Sequence, residues 1–405
     1  MTRTAGTLEE MQETPATEVE SVAKARPRRH WRRLVIISVV MLLLFGLPWW
    51  TLVAAGTHWP TGVVALGTVV IVGAMVALPT MMVFGHGRRH RDWAAVTGDV
   101  LLGAVWVFFV WSLLGQVLRL ALFAFGVDDP ARSRIVALTV LVVATTLLVW
   151  GYAEAMRVPR VKHVDVDIDR LGRGLDGLRV VMITDTHYGP IDRSHWSART
   201  IDRVNELDAD VLCHVGDIAD GSAEVREPQS RPLEHARAGL ARVYVTGNHE
   251  YIGEAQGWVD YMADIGWDTL HNRHIVVERN GDRLVIAGVD DATARGSGQA
   301  GHGANHEAAL ANADPDLPVL LLAHQPKQIG QAVAAGVDLQ ISGHTHGGQI
   351  WPFNFLVRLD QPVVHGLSRH GERTQLYTSR GTGFWGPPFR VFAPSEITVL
   401  TLRST

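Results

Sequence analysis

The chain has 405 residues, a length that suits two or three domains. Its 37 basic and 41 acidic residues leave a formal net charge of -4, which gives no reason to expect nucleic acid as a general partner. A single cysteine, Cys213, excludes an internal disulfide, and within "DVLCHVGD" it reads as a buried strand thiol.

Residues 1–33 read as a disordered, basic cytoplasmic tail: polar and rich in Glu and Thr over the first 22 residues, then basic in "KARPRRHWRR". Four uncharged apolar stretches follow, 34–56, 62–84, 100–118 and 135–153. Each is close to the ~20 residues that a helix needs to cross a bilayer, so 34–153 is expected to be a four-helix transmembrane region. The first stretch is too long for the apolar part of a signal peptide, lacks a clean small-residue cleavage site and is followed by three more spans. "KARPRRHWRR", "HGRRHRDW" and "RVPRVKH" put positive charge before the first span, between the second and third, and after the fourth. "THWP" carries no Lys or Arg. The positive-inside rule therefore places both ends of the region in the cytoplasm, in a multi-pass protein of the plasma (inner) membrane. Arg119, just beyond the third stretch, reads as snorkelling to the outer interface.

From 156 to 405 the pattern changes. "LRVVMIT" (178–184), "DVLCHVG" (210–216), "RVYVT" (242–246), "LVIAGV" (284–289), "VLLLAH" (319–324) and "DLQISG" (338–343) read as strands covered on both faces. Helices are expected over 194–207, 254–265 and 326–335, and "VVERNGDRLVI" reads as a β-hairpin. Alternating β and α predicts an α/β domain whose site lies where strands end. The Gly-rich "ARGSGQAGHGA" (294–304) reads as a mobile loop.

Polar residues follow these strands directly. "VVMIT" runs into Asp185 and His187, "VLCHV" into Asp217 and Asp220, and "VYVT" into Asn248, His249 and Glu250. "VLLLA" runs into His324, and "LQIS" into His344 and His346. A D-x-H or a lone Gly-Asp is ordinarily a turn; five together, each straight after a buried strand, indicate a metal site. Asp, His and Asn without Cys form a set that suits Mn²⁺, Fe or Zn²⁺. Seven groups, Asp185, His187, Asp217, Asn248, His324, His344 and His346, are too many for one tetrahedral ion and suit two ions about 3.5–4 Å apart sharing a carboxylate. If the chain is extended there, His344 and His346 face the same side about 6.6 Å apart and can reach different ions.

Asp-x-His, Gly-Asp-x-x-Asp, Gly-Asn-His-Glu, a single His and Gly-His-Thr-His, in that order over 178–350, resemble the calcineurin-like metallophosphoesterase superfamily. "GHTHGGQI" and the closing "SRGTGFWGPPFRVFAPSEITVLTL" look most like its membrane-associated bacterial YkuE/YaeI-like branch. The resemblance implies a β-sandwich flanked by helices. It also implies one metal on Asp185, His187 and His346, the other on Asn248, His324 and His344, and Asp217 bridging both. His249 matches the histidine that contacts phosphate or protonates the leaving oxygen, and Asp220 a position that can orient it. Glu250 departs from the commoner Asp. Two cations would acidify a bridging water to supply hydroxide near neutral pH, for hydrolysis of a phosphodiester or a lipid-linked phosphoester.

The remaining polar residues read as structural. Asp290 and Asp291 are expected to cap a turn, His214 to be a core histidine, and His271, His274, His302 and His306 to lie at the surface. "WPFNFLV" and "GFWGPPF" are read first as core packing and second as a hydrophobic mouth beside the metals. Two rival functions are a nucleotide or nucleic-acid phosphodiesterase, against which the absence of a basic groove weighs, and an inactive membrane sensor retaining the fold.

Overall fold

A computed structural model describes residues 27–87 and 91–405; residues 1–26 of the expected tail and 88–90 of the basic second loop lie outside the described residues. The four apolar stretches form helices: α1 (Pro27–Trp49, continued by a π turn over Trp50–Ala54), α2 (Thr61–His86), α3 (Asp92–Ala124) and α4 (Ala131–Met156). All four are long and apolar enough to cross a membrane. Within the helical region, Gln116 donates to Thr51 Oγ1 at 2.8 Å, and Arg119 stands 3.8 Å from Asp129 in the turn between α3 and α4.

Twelve strands follow. They are β1 (Arg160–Ile168), β2 (Leu178–Ile183), β3 (Val211–Val215), β4 (Ala241–Val245), β5 (Asp268–Thr269) and β6 (Arg273–Arg279), then β7 (Asp282–Gly288), β8 (Val319–Leu322), β9 (Leu339–Ser342), β10 (Gly366–His370), β11 (Thr374–Thr378) and β12 (Glu396–Ser404). They form two six-stranded sheets, ordered β1-β12-β2-β3-β4-β5 and β10-β11-β9-β8-β7-β6. All six strands read from continuous apolar runs are present, as is the β6–β7 hairpin. The sheets stack as a sandwich. Its inner core includes Met182, Cys213 and Val243 from one sheet and Ile286, Leu320 and Tyr377 from the other.

Helices cover the outer faces. α5 (Ser194–Asn205), α6 (Ala223–Ser230), α7 (Asn248–Ile252) and α8 (Ala255–Asp264) lie along the half of the chain that forms the first sheet, where Trp196, Ile201, Trp258 and Met262 pack on Val181, Leu212 and Tyr244. The second sheet is covered partly by Ile329–Ala334, which with the 3₁₀ turn Pro326–Gln328 fulfils the helix expected over 326–335. Strands β2, β3 and β4 are parallel to one another, as are β7, β8, β9 and β11. Their C-terminal ends gather at one edge, which is where the polar motifs lie.

That edge rests against the membrane helices. Gly103 of α3 lacks a side chain where Phe389 sits; a Cβ there would lie 2.5 Å from the ring. Trp106 Nε1 donates to the Ile350 carbonyl at 3.3 Å, and the Arg390 amide donates to the Gly151 carbonyl of α4 at 2.9 Å. Asp92, at the start of α3, pairs with Arg226 at 2.9 Å.

Candidate metal centre

The ligand candidates stand on turns held in left-handed backbone. Asp185, His187, Asp217, His344 and His346 all have positive φ, between 43° and 69°. Such conformations cost free energy in non-glycine residues and persist only where their surroundings over-determine them. Here the Asp185 amide donates to the Gly216 carbonyl at 3.0 Å, and the His187 amide to the Asp217 carbonyl at 3.1 Å. Gly343 lets the histidine loop approach: a Cβ there would fall 2.2 Å from Asp185 Oδ2 and Thr184 Oγ1. The extended-chain argument for His344 and His346 is therefore corrected. Both are left-handed and a 3₁₀ turn, His346–Gly348, begins at the second, yet the two rings still part to different clusters.

Asp185, His187 and His346 offer ligand atoms within 4.8 Å of one another, and so do Asp217, His324 and His344. Asp217 sits between the clusters. Its Oδ2 is 3.1 Å from His324 Nε2 and 3.5 Å from His187 Nε2. His187 Nε2 and His346 Nε2 face each other at 3.1 Å, and His346 Nε2 is 3.5 Å from Asp185 Oδ1. Asn248 begins α7 beside Asp217, whose Oδ1 accepts from the His249 amide at 2.8 Å.

Hydrogen bonds on the far side of two rings fix which nitrogen is bare. His187 Nδ1 donates to Asp220 Oδ1 at 3.2 Å, and His324 Nδ1 to the Val215 carbonyl at 2.7 Å. In the neutral rings each Nε2 then points a lone pair at carboxylate oxygen. Asn248 Oδ1 is buried with no hydrogen-bond partner among the described residues, and His324 Nε2 faces only the Asp217 carboxylate at 3.1 Å. Buried acceptors facing acceptors are unfavourable unless a cation lies between them, so the donor set fits divalent metal.

Charge in the cluster follows from this crowding. Burial pushes His344 down to about 3, helped by nearby His324. Burial also pushes His249 down, but the Asp217 and Asp220 carboxylates outweigh it and hold the ring at about 9. Asp220 is pushed up by burial, yet His187 and His249 hold its carboxyl well below the usual range. Asp220 Oδ1 takes His249 Nδ1 at 2.6 Å as well as His187, so one carboxylate orients both rings. His249 is the more accessible of these two histidines, and its ring lies 5.7 Å from that of Trp385.

Three residues carry more than the sequence suggested. Glu250 is fully buried and accepts from the amides of Asp217, Ile218 and Gly247 at 3.0, 2.7 and 2.6 Å, which staples two ligand-bearing turns together. Burial pushes its carboxyl up to about 7. Arg390 is fully buried and donates to the carbonyls of Gly383, His346 and Ala393. Arg193, beneath the Phe384 ring at 4.3 Å, donates to the Thr186 carbonyl at 2.6 Å. Neither arginine belongs to a periodic pattern, so only the reach of the folded loops identifies them.

The residues set aside behave unevenly. Cys213 and His214 are buried as expected; His214 is held near 3 by burial. Asp291 caps a turn through the Thr293 amide at 2.8 Å. Asp290 instead gathers His271 at 2.6 Å, Asn272 at 3.1 Å and the Gly303 amide at 2.8 Å. His271, His274, His302 and His306 are half-buried, not surface residues. For His271 and His302 the reason is that the Gly-rich loop folds back, with His302 Nδ1 2.9 Å from the Tyr251 hydroxyl, whereas His274 Nδ1 donates to the Ala309 carbonyl at 2.8 Å. The aromatic segments divide: Phe384 and Phe389 are buried, whereas Phe353, Phe355 and Trp385 are exposed, as is Phe392 just beyond the second segment, so core packing does not account for the exposed ones.

Residues 178–348 match the family described as calcineurin-like phosphoesterase. A Campylobacter jejuni protein described as an uncharacterized metallophosphoesterase is 32% identical over 384 residues, covering 91% of this chain and 98% of that one. A Danio rerio "transmembrane protein with metallophosphoesterase domain" is 35% identical over 312 residues, covering 75% of this chain and 71% of that one. The Bacillus subtilis metallophosphoesterase YkuE, also uncharacterized, is 27% identical over 266 residues, covering 63% and 90%. With its four apolar helices and its α/β sandwich, the chain is a membrane protein that belongs to the calcineurin-like metallophosphoesterase family.

Proposed function

We propose that the protein hydrolyses a phosphodiester or a lipid-linked phosphoester at a dinuclear centre. The observation that carries this reading is the position of Asp217 between two clusters, each with an imidazole, His187 in one and His324 in the other, whose proton is held on Nδ1. Asp185, His187 and His346 would hold one divalent cation and Asn248, His324 and His344 the other, with Asp217 shared. Bound there, the pair would supply Lewis acidity and an acidified water. The chain's own residues do the rest. Asp220 fixes the His187 and His249 rings, Glu250 fixes the turn of Asp217, and His249 delivers a proton to the leaving oxygen.

The test uses the purified full chain, with metal content measured beside hydrolysis of a generic phosphodiester and a phosphomonoester. Two equivalents of Mn²⁺, Fe or Zn²⁺ and chelator-sensitive hydrolysis are expected. Two bound metals without hydrolysis of either ester would favour an inactive sensor. His249→Gln is expected to keep its metals and to lose about 10²–10⁴-fold on an alkyl ester. It should lose far less on a p-nitrophenyl ester, whose leaving group needs no proton. Equal losses on both would remove His249 from the proton-donor role.

The boundaries proposed are a membrane region over 34–153 and a catalytic domain over 156–405, the latter cytoplasmic because the basic segments flank its side of the helices. A cysteine placed at exposed Glu372 should resist a membrane-impermeant thiol reagent in intact cells and react after lysis; labelling in intact cells would reverse the orientation.

A further inference from the structure

The apolar run 100–118 of α3 begins one residue after Asp99, and this start marks where the helix enters hydrocarbon. Against that marker the metal-bearing edge of the sandwich sits deep. Phe389 packs on Gly103, and the Phe353 ring meets Trp106 edge-on at 5.8 Å. With a rise of about 1.5 Å per residue, Gly103 and Trp106 lie roughly 5–9 Å beyond the start of the run. α4 gives the same depth independently. The Phe392 ring lies 5.8 Å from Trp150, three residues short of the end of the run 135–153, or roughly 5 Å inside it. Interfacial helices bury their apolar faces to about 5–10 Å.

Side chains on the same segments of chain are uncovered. Phe355 is 56% exposed, Leu359 84% and Phe392 56%, and Leu356 and Trp385 are exposed beside them. This rim continues the lipid-facing surface of α4, where Val149 and Trp150 are also exposed. The candidate metal centre lies roughly 6–10 Å nearer the aqueous side, because Asp99 and Val96 of α3 border one small cavity with His187 and Asp220.

We propose that the rim formed by Phe353, Phe355, Leu356, Leu359, Trp385 and Phe392 seats in the interfacial layer of the bilayer that holds α1–α4. The centre then stands at the phosphate layer, and its substrate is the phosphoester of a lipid resident in that leaflet. The substrate half rests on the phosphoesterase reading above; the membrane seat rests on depth and exposure alone. Continuity with two membrane helices is what selects a bilayer over a protein partner.

The test places the full chain in phosphatidylcholine vesicles containing doxyl-labelled lipid. A fluorophore on Leu359→Cys reports depth without competition from Cys213, which is fully buried. At least a twofold quenching is expected there and none on Glu372→Cys, at the opposite edge of the second sheet. An unquenched Leu359 label, or one that cross-links to a second copy instead, overturns the seat. In a second arm, Phe355→Ser/Leu356→Ser/Leu359→Ser should lose at least tenfold on a long-chain phosphatidyl p-nitrophenol in the vesicles. It should stay within twofold of wild type on soluble bis(p-nitrophenyl) phosphate, which also shows that the variant folds. Equal rates on the vesicle lipid overturn the proposal. A wild-type chain inert on both esters overturns the phosphoesterase reading instead, and quenching still decides the membrane seat.

Discussion

Asp217→Asn is expected to lower hydrolysis by on the order of 10³-fold, the equivalent of about 4 kcal/mol of lost charge stabilisation. The variant is chosen to leave the backbone alone. Asp217 has a φ of 52°, and asparagine tolerates that left-handed region better than other non-glycine residues. The amide oxygen can still accept the His249 amide, now made by Oδ1 at 2.8 Å. The new amide nitrogen would face His324 Nε2 and His187 Nε2, which stand 3.1 and 3.5 Å from Oδ2. Its hydrogens would satisfy the two imidazoles in place of a cation. Metal stoichiometry and turnover should therefore fall together while the melting temperature holds. Wild-type turnover with two metals retained would sink the shared-carboxylate assignment.

The same residues show what the sequence could disclose. Asp185, Asp217, His324 and His344 each lie within three residues of the end of a buried strand, so the apolar run announces the position of the polar group. Strand interiors are legible because burial on both faces selects uninterrupted apolar letters, as in β3, β8 and β9. β1 and β12 are different. They pair in parallel across more than two hundred residues of chain, and β1 carries charged residues at 160, 162, 165 and 167. Nothing local in either segment names its partner.

The turns were less legible than the strands. An i, i+2 spacing implies a common face only if the chain stays extended, and glycines at 343, 347 and 348 let the histidine loop coil instead. The separation of the two rings survives because Asp185 takes the His344 amide at 2.9 Å, which fixes the loop from outside. Glu250 makes a related point. As a one-methylene departure from the commoner Asp it looked incidental, but the longer side chain spans three backbone amides across two turns. Such staples leave no periodic trace, because their partners are backbone groups of distant loops.

Arg390→Met is expected to destabilise the catalytic domain by on the order of 3 kcal/mol, a fall of roughly 6–12 °C in melting temperature. Burial pushes the Arg390 guanidinium down only to about 10, so it remains charged at neutral pH. Its Nε donates to Gly383 at 3.0 Å, and its Nη1 to His346 and Ala393 at 3.1 and 3.0 Å. Methionine fills much of the same volume but leaves the Gly383 and Ala393 carbonyls without their donor, each worth about 1–3 kcal/mol if buried and unpaired, while the His346 carbonyl keeps only the Gln349 amide at 3.0 Å. The loss should not be confined to stability. Arg390 joins the histidine loop to the segment 383–393, whose Arg390 amide and Phe389 ring also hold the domain to α4 and α3. His346 should therefore lose its fixed position, with metal affinity falling about 10–100-fold, as when the outer partner of a ligand is removed. Arg390→Lys, keeping the charge but not the planar fork, should recover part of the melting temperature and little of the metal affinity. A methionine variant that melts like wild type would show that the guanidinium is not the link between the metal centre and the membrane helices.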